Sequence, residues 1–544
     1  MEFQVLDWKA EDLQIDINED EDEEPEIIRR YIIKCFGLTE KRETVGLTIT
    51  DFTPYFFIKP THNIIPGELK RLENFLIKKL PDSLQSSIHS VKQLNKKDMW
   101  GFNDNKSFSF IRITFNNIMA MKLCTKYLSS AVYIGKRSLK YKLYESNIEP
   151  FIRFLHCKNI NPSGWIRVDP NKCTTNKIAK SNCNYDMSIK WKNVESIHAK
   201  ETICPLIVAS FDIECTSSHG DFPLAIKRYE KTTRELIQAS KIVKEKNPKQ
   251  AKIFIKDCLS HIFNVEHNLE ISRFFTKVNF KNPKVKVKKN VIASIIDSVY
   301  DILMTDVSYH RPISELYECE DEFTRFKKAF NTKQNITNDD KPSEPKFAQL
   351  NALLSENFPD VEGDSIIQIG TTFHKYGSTD CYFKHIITLD SCDEIAGVDE
   401  VISCGTEKEV LLEWTKLIQR FDPDIMTGYN IFGFDFQFMY DRSIEIGCSR
   451  EFCKLGRYKN HSSSIIHKCL SSSALGDNFL HYIDMEGRVL IDLMKVIQRD
   501  HNLDSYKLDN VASHFIQGSI KSIEGNMIKV DNLLGIQELS LIHI

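Results

Sequence analysis

Residues 206–215 read "LIVASFDIEC", an apolar run that ends on two carboxylates, Asp212 and Glu214, spaced two apart. A run that is apolar on both faces belongs in the middle of a sheet, where an uncompensated charge is costly. In a strand, residues two apart share a face and stand ~7 Å from each other along the backbone. Two acids on one wall therefore need a metal, a basic partner or bulk water. Hard carboxylate oxygens suit Mg²⁺ or Mn²⁺; a salt-bridged or solvent-facing strand end fits the spacing as well. The same Asp-x-Glu spacing recurs at Asp22/Glu24, Asp360/Glu362 and Asp484/Glu486. What distinguishes Asp212/Glu214 is that it closes a strand expected to be buried on both faces.

A second feature, "DPDIMTGYNIFGFDFQF" (Asp422 to Phe438), reads as a strand–loop–helix junction carrying Asn430 and Asp435. An acid at a helix start has an ordinary role as a cap in the field of the helix dipole. Facing a strand-borne acidic pair, it also completes the kind of site that holds two divalent ions ~3.5–4 Å apart for phosphodiester hydrolysis.

The rest of the chain bounds these readings. Its 544 residues exceed one ordinary core, so two to four domains are expected. A net charge of −3 places any nucleic-acid binding in local patches. None of the 15 cysteines forms a CxxC pair, which signals neither a zinc site nor a disulfide framework; with no signal peptide, reduced thiols in an intracellular protein are expected. No apolar run reaches the ~18 residues that cross a bilayer, so a soluble chain with no membrane partner is expected.

Along the chain, the acidic run Glu19 to Glu26 reads as a solvated loop. "LTITDFTPYFFIKP" (Leu47 to Pro60) reads as strands around a turn, and "GELKRLENFLIKKLP" as a helix. From Lys227 to Pro359 the sequence turns lysine-rich and helical, with a basic cluster, "KVNFKNPKVKVKKN" (Lys277 to Asn290). Sheet-like sequence resumes beyond it in "SIIQIGTTFHKYG" and "CYFKHIITLD", followed by an amphipathic helix in "EKEVLLEWTKLIQRF". The pattern predicts a mixed sheet flanked by helices, interrupted by an insertion over 227–359.

"FDIEC" (Phe211 to Cys215) and "GYNIFGFD" (Gly428 to Asp435) resemble the first two proofreading-exonuclease motifs of family B DNA polymerases, closest to the delta type and its counterparts in large DNA viruses. "YESNIEPFIRFLHCKNINPSGWIRV" (Tyr144 to Val168), "IIQIGTTFHKYG" and "GRVLIDLMKVIQRDHNLDSYKLDNVASHFIQG" (Gly487 to Gly518) extend the likeness. The resemblance implies an RNase H-like 3′–5′ exonuclease domain over 201–518, α/β or α+β in class. An amino-terminal mixed α+β domain over 1–200 precedes it, and a short continuation over 519–544 follows. It implies Asp212, Glu214 and Asp435 as catalytic ligands of two Mg²⁺ or Mn²⁺ ions, with Phe211 and Asn430 beside a DNA 3′ end. Implied partners are the single-stranded end of a primer and a sliding clamp or other replication accessory protein. The implied location is the host cytoplasm, in a virus factory, or the nucleus.

The chain departs from the family in two ways. The third motif, Tyr-x-x-x-Asp, is not found in the downstream stretch, where "YKLDN" (Tyr506 to Asn510) carries Asn at the required position. The polymerase palm, fingers and thumb are missing too, and the ending "LSLIHI" matches what a sequencing-library transposon end encodes. The expectation is an amino-terminal fragment of a longer viral polymerase. The alternatives are a standalone exonuclease, or a non-catalytic DNA-binding or assembly module of the same fold.

Overall fold

Six strands form the sheet that carries the candidate residues: β1 (Ile207–Cys215), β2 (Ile366–Lys375), β3 (Cys381–Leu389), β4 (Glu400–Cys404), β5 (Ile425–Gly428) and β6 (Val489–Asp492). The computed structural model describes residues 1–16, 27–99, 101–134, 137–178, 180–217, 222–266, 268, 271–305, 344–378, 380–472, 476–515, 520–524 and 527–530. The acidic run 19–26, the first part of a polar stretch, "NDDKPSEPK" (Asn338 to Lys346), and the terminal "LSLIHI" lie outside these residues. Strand order is β4-β3-β2-β1-β5-β6. β2 and β3 are antiparallel, whereas β3/β4, β1/β5 and β5/β6 are parallel. This mixed sheet with flanking helices is the RNase H-like arrangement that the sequence predicts.

The helix Glu407–Phe421 (α1) forms where the spacing of apolar residues places it, burying Val410, Leu411, Trp414, Leu417 and Ile418. A capping box starts it: Thr406 Oγ1 accepts from Glu409 N at 3.3 Å, and the Glu409 carboxylate accepts from Thr406 N at 3.1 Å. Trp414, fully buried, donates its indole N–H to Thr371 Oγ1 on β2 at 3.2 Å, so the largest core side chain leaves no orphan donor. The later helices are Asp435–Glu445 (α2) and Leu493–Asp500 (α3).

A buried charge network fixes the start of β1. Asp424, fully buried, accepts from Ile207 N at 2.8 Å through its carboxylate, and its own N–H donates to Ile207 O at 2.8 Å. Arg457, 2% exposed, donates to Asp424 at 2.6 Å, to Asp422 at 3.0 Å and to Gly487 O at 3.0 Å. Arg488 adds a bond to Asp422 at 2.7 Å and one to Leu455 O at 2.8 Å. Every charge here has an opposite partner, which is the condition for a charge to be tolerated in a core.

The chain divides into two compact units: residues 1–213, 368–440 and 448–544 in one, residues 214–367 and 441–447 in the other. The first also holds a seven-stranded sheet, in which Thr44–Thr50 pairs with Ile27–Leu38, and a four-stranded sheet containing Tyr55–Pro60. The two strands predicted around the Asp51–Pro54 turn thus both form, but they join different sheets. The helix predicted from "GELKRLENFLIKKLP" forms as Glu68–Lys79.

The second unit is helical. Glu230–Glu245, Pro248–Ile262, Lys289–Met304 and Glu344–Asn357 pack around Leu236, Ile255, Leu259, Ile295, Val299 and Leu350. Where this unit begins and ends, Thr216 N donates to Ser365 O at 2.8 Å, and Leu224 and Asp364 exchange bonds of 2.8 and 2.9 Å.

Candidate active site

β1 is buried on one face only, which corrects the two-sided burial expected from its composition. Ala209, Phe211 and Ile213 are buried, while Asp212 and Glu214 are exposed on the alternate face. Water therefore reaches the two acids, and the desolvation cost that would need a buried partner does not arise. The Phe211 ring turns inward, 3% exposed, between Trp414 and Phe436 at centroid distances of 5.1 and 5.3 Å. It packs the core and presents no exposed ring surface on which a nucleotide could stack.

The loop from β5 to α2 delivers Asp435. Gly428 ends β5 where a Cβ would stand 2.6 Å from Phe211 O and 2.5 Å from Ile431 Cγ2, so only glycine lets β1 and the loop approach this closely. Asn430 follows with φ +63°, the left-handed region that asparagine tolerates. Its carbonyl accepts from Gly433 N at 2.9 Å and Phe434 N at 3.0 Å, and a Cβ on Gly433 would meet Asn430 Oδ1 at 2.3 Å. The Asn430 side chain is thus part of the turn. Tyr429 donates its hydroxyl to Tyr506 O at 2.6 Å, and the Phe434 ring packs on Phe438 at 5.2 Å.

One residue of this machinery carries no signal in local sequence. Asp492, 2% exposed at the end of β6, accepts from Asn430 N at 2.9 Å, Phe432 N at 3.0 Å and Met494 N at 2.9 Å. It caps α3 and with the same carboxylate clamps the turn that leads into α2. Asp492 is a positioning residue for that turn.

Asp435 opens α2, 2% exposed, with its carboxyl beside that of Asp212. Its Oδ1 is buried and has no hydrogen-bond partner. Burial first, and then the neighbouring Asp212 carboxylate, push the Asp435 carboxyl up to about 8, while the N–H groups of Asp435 and Ile213 pull the other way.

The structure brings Asp212 and Asp435 together and leaves Glu214 exposed two positions further along β1; among the described residues, no group of three His, Cys, Asp or Glu side chains closes into a metal cluster. An orphaned carboxylate oxygen against a second carboxylate nonetheless fits a hard divalent cation. Mg²⁺ is commonly held by one or two carboxylates, keeps several waters and takes the rest of its shell from substrate phosphate.

The raised Asp435 carboxyl would make any cation binding at this pair depend on pH. Below about 8 the carboxyl keeps its proton, and a cation must displace it. Mn²⁺ affinity, measured by calorimetry in two buffers of different ionisation heat, is expected to rise roughly tenfold per pH unit up to about pH 8 and then level off, with release of one proton. Affinity that does not change with pH between 6 and 8 rules out this pair as the ligands.

With the geometry in place, the chain can be set beside known proteins. The family model for "DNA polymerase family B, exonuclease domain" matches residues 141–304 and 317–511. The DNA polymerase of Pyramimonas orientalis virus is 40% identical over 547 residues, covering 98% of this chain and 43% of that protein. The DNA polymerase of Phaeocystis pouchetii virus is 29% identical over 564 residues, covering 91% of this chain and 52% of that protein. The DNA polymerase delta catalytic subunit of Dictyostelium discoideum is 24% identical over 508 residues, covering 91% and 34% respectively. The chain therefore spans between about a third and a half of the length of these relatives.

Proposed function

Because the chain belongs to the family B DNA polymerases and matches their exonuclease domain over most of its length, we propose that it is the amino-terminal and proofreading portion of a DNA-directed DNA polymerase, and that its site removes nucleotides from DNA 3′ ends. The observation that carries this reading is the Asp435 carboxyl, buried, without a partner at Oδ1, and set against Asp212 on the open face of a central strand.

Asp212, Glu214 and Asp435 would hold Mg²⁺ or Mn²⁺. Two ions, when bound, supply a hydroxide nucleophile at neutral pH and neutralise the leaving oxygen. The chain's own contribution is placement. Asp424 and Arg457 hold β1 at its start, Gly428 allows the close approach of the loop, and Asp492 fixes the turn that presents Asp435. Three carboxylates repel a phosphate, so the site accepts DNA only once cations have reversed the local charge.

The substrate would be a frayed, single-stranded primer end. A sliding clamp or other replication protein would be the partner, and the host cytoplasm or nucleus the place where a viral genome is copied. Among the described residues no helix is long and apolar enough to cross a membrane.

The test is Asp212→Ala combined with Glu214→Ala in the full-length polymerase. Mg²⁺-dependent trimming of a 3′-labelled mismatched primer should fall by roughly 10³-fold or more, about 4 kcal/mol of barrier, with primer extension unchanged. Trimming at the wild-type rate discards the site. The present chain, tested alone, should trim weakly or not at all, since the third motif's ligand is missing from the matched stretch. Rapid degradation of single strands by this chain would show that its own residues complete the site.

A further inference from the structure

We propose that the inserted helical unit carries its own DNA-backbone contact, a strip formed by Lys284, Lys286 and Lys288. The choice of DNA as the polyanion rests on the function proposed above; the strip itself rests on the following geometry.

Residues 277–290 contain six lysines and no acidic residue. The structure sorts those lysines into two kinds. Lys277 donates to Asn264 Oδ1 at 2.9 Å, Lys281 pairs with Glu445 at 3.0 Å, and Lys289 pairs with Glu266. These three pin the segment to its own unit, together with the Phe280↔Val361 bridge and a Val278 N to Ile262 O bond of 3.0 Å. Lys284, Lys286 and Lys288 are exposed and, among the described residues, have no carboxylate within ion-pair reach.

Lys284 sits in a turn, and Lys286 and Lys288 follow it along the chain. After the turn closed by Val285 N to Asn282 O, the chain runs without helix until Lys289. Val287 packs against the unit's apolar core, which turns its neighbours Lys286 and Lys288 outward. Residues two apart in extended chain step by ~6.8 Å, twice the ~3.4 Å rise per nucleotide of a stacked strand. The strip therefore complements the charge of a nucleic-acid backbone, and the step from Lys286 to Lys288 suits its repeat.

Its position adds electrostatic strain that an anion would relieve. The helix Lys289–Met304 begins with Lys288 at its cap, has no side chain capping its N–H groups and no acid in its first turn. Lysines at the positive end of a helix dipole repel it, whereas a phosphate there would be attracted by both. Shortly upstream the Phe274 ring is 75% exposed, an aromatic face of the kind on which unpaired bases stack. That feature favours a single strand over a duplex.

The experiment is equilibrium binding of a fluorescent oligo-dT to the present chain in chelator, where no cleavage can occur, across a salt series. The variants are the triple change Lys284→Ala, Lys286→Ala, Lys288→Ala and the matched triple Lys→Arg change. Three phosphate contacts on a single strand contribute a log–log salt slope of about −2. The alanine triple should lose at least tenfold in affinity at low salt and shed that part of the slope, while the arginine triple keeps both. Affinity and slope equal to the wild type in the alanine triple overturn the strip. Trimming by the full-length polymerase in Mg²⁺, measured separately, keeps the two proposals apart. A strip effect on binding by this chain, in a protein whose full-length form never trims, supports the strip while the nuclease reading fails.

Discussion

Asp435→Asn should abolish 3′ trimming in the full-length polymerase and, in the same substitution, stabilise the cation-free chain. The activity loss follows from the loss of an anionic ligand at the point where Asp212 and Asp435 meet. The gain follows from linkage. The folded-state Asp435 carboxyl titrates far above an ordinary aspartate because it is buried and faces another carboxylate. A group raised in this way favours the folded state most below its unfolded value, and that contribution is lost as pH climbs through the folded one. The cation-free chain should therefore weaken between pH 4 and about 8. Asparagine does not titrate and can donate to Asp212, so the variant should escape this loss. At pH 8 in chelator the expected gain is about 1–3 kcal/mol, read as a denaturant midpoint. Added Mg²⁺ should stabilise the wild type and leave the variant unchanged. A variant less stable than wild type in chelator, or one that still trims, would show that Asp435 is a structural cap after all.

The second large effect lies away from the site. Arg457→Met removes the cation that bridges Asp422 and Asp424 in the core. Asp422 keeps Arg488 and Asp424 keeps Arg42, so the expected cost is about 2–3 kcal/mol, below the ~3–5 kcal/mol of a buried pair broken outright. Asp424 also carries both bonds to the Ile207 backbone at the head of β1. Unfolding should therefore be accompanied by early loss of amide-exchange protection along β1, before the rest of its sheet opens. A midpoint shift below about 1 kcal/mol, or uniform exchange across the sheet, would show that the network contributes little to holding β1.

Much of this organisation was legible in the residues. Apolar spacing placed α1, β2, β3 and α2, because each of them buries one face and so imprints a period on the sequence; β5, buried at three successive residues, was placed by the loop and helix that follow it. Asp212 and Asp435 were picked out for the same reason: each is a charge at the boundary of an apolar element. The composition of "LIVASF" pointed to a strand covered on both sides, yet only the face holding Ala209, Phe211 and Ile213 is closed. Composition reports how apolar a strand is, not which neighbours reach each face. The inward turn of the Phe211 ring follows from the same alternation, since adjacent residues on a strand point in opposite directions. Asp492 was invisible for a different reason: its carboxylate binds backbone N–H groups 60 and 62 residues away, and such a contact asks nothing of the side chains at either end. The edge strand β4 likewise lacks the alternation that would have announced it.

The helical unit interrupts the chain between β1 and β2, two strands that lie side by side. Joining them through an unstructured loop of about 150 residues would carry a closure entropy of about 4 kcal/mol. The bonds between Thr216 and Ser365 and between Leu224 and Asp364 bring the two ends of the interruption together at its base. Once the helices have condensed, the effective separation between the strands is that of a short turn. Pairing of β1 with β2 should then follow condensation of the helices, and mutations that loosen the helical core should slow assembly of the six-stranded sheet without touching any residue in it.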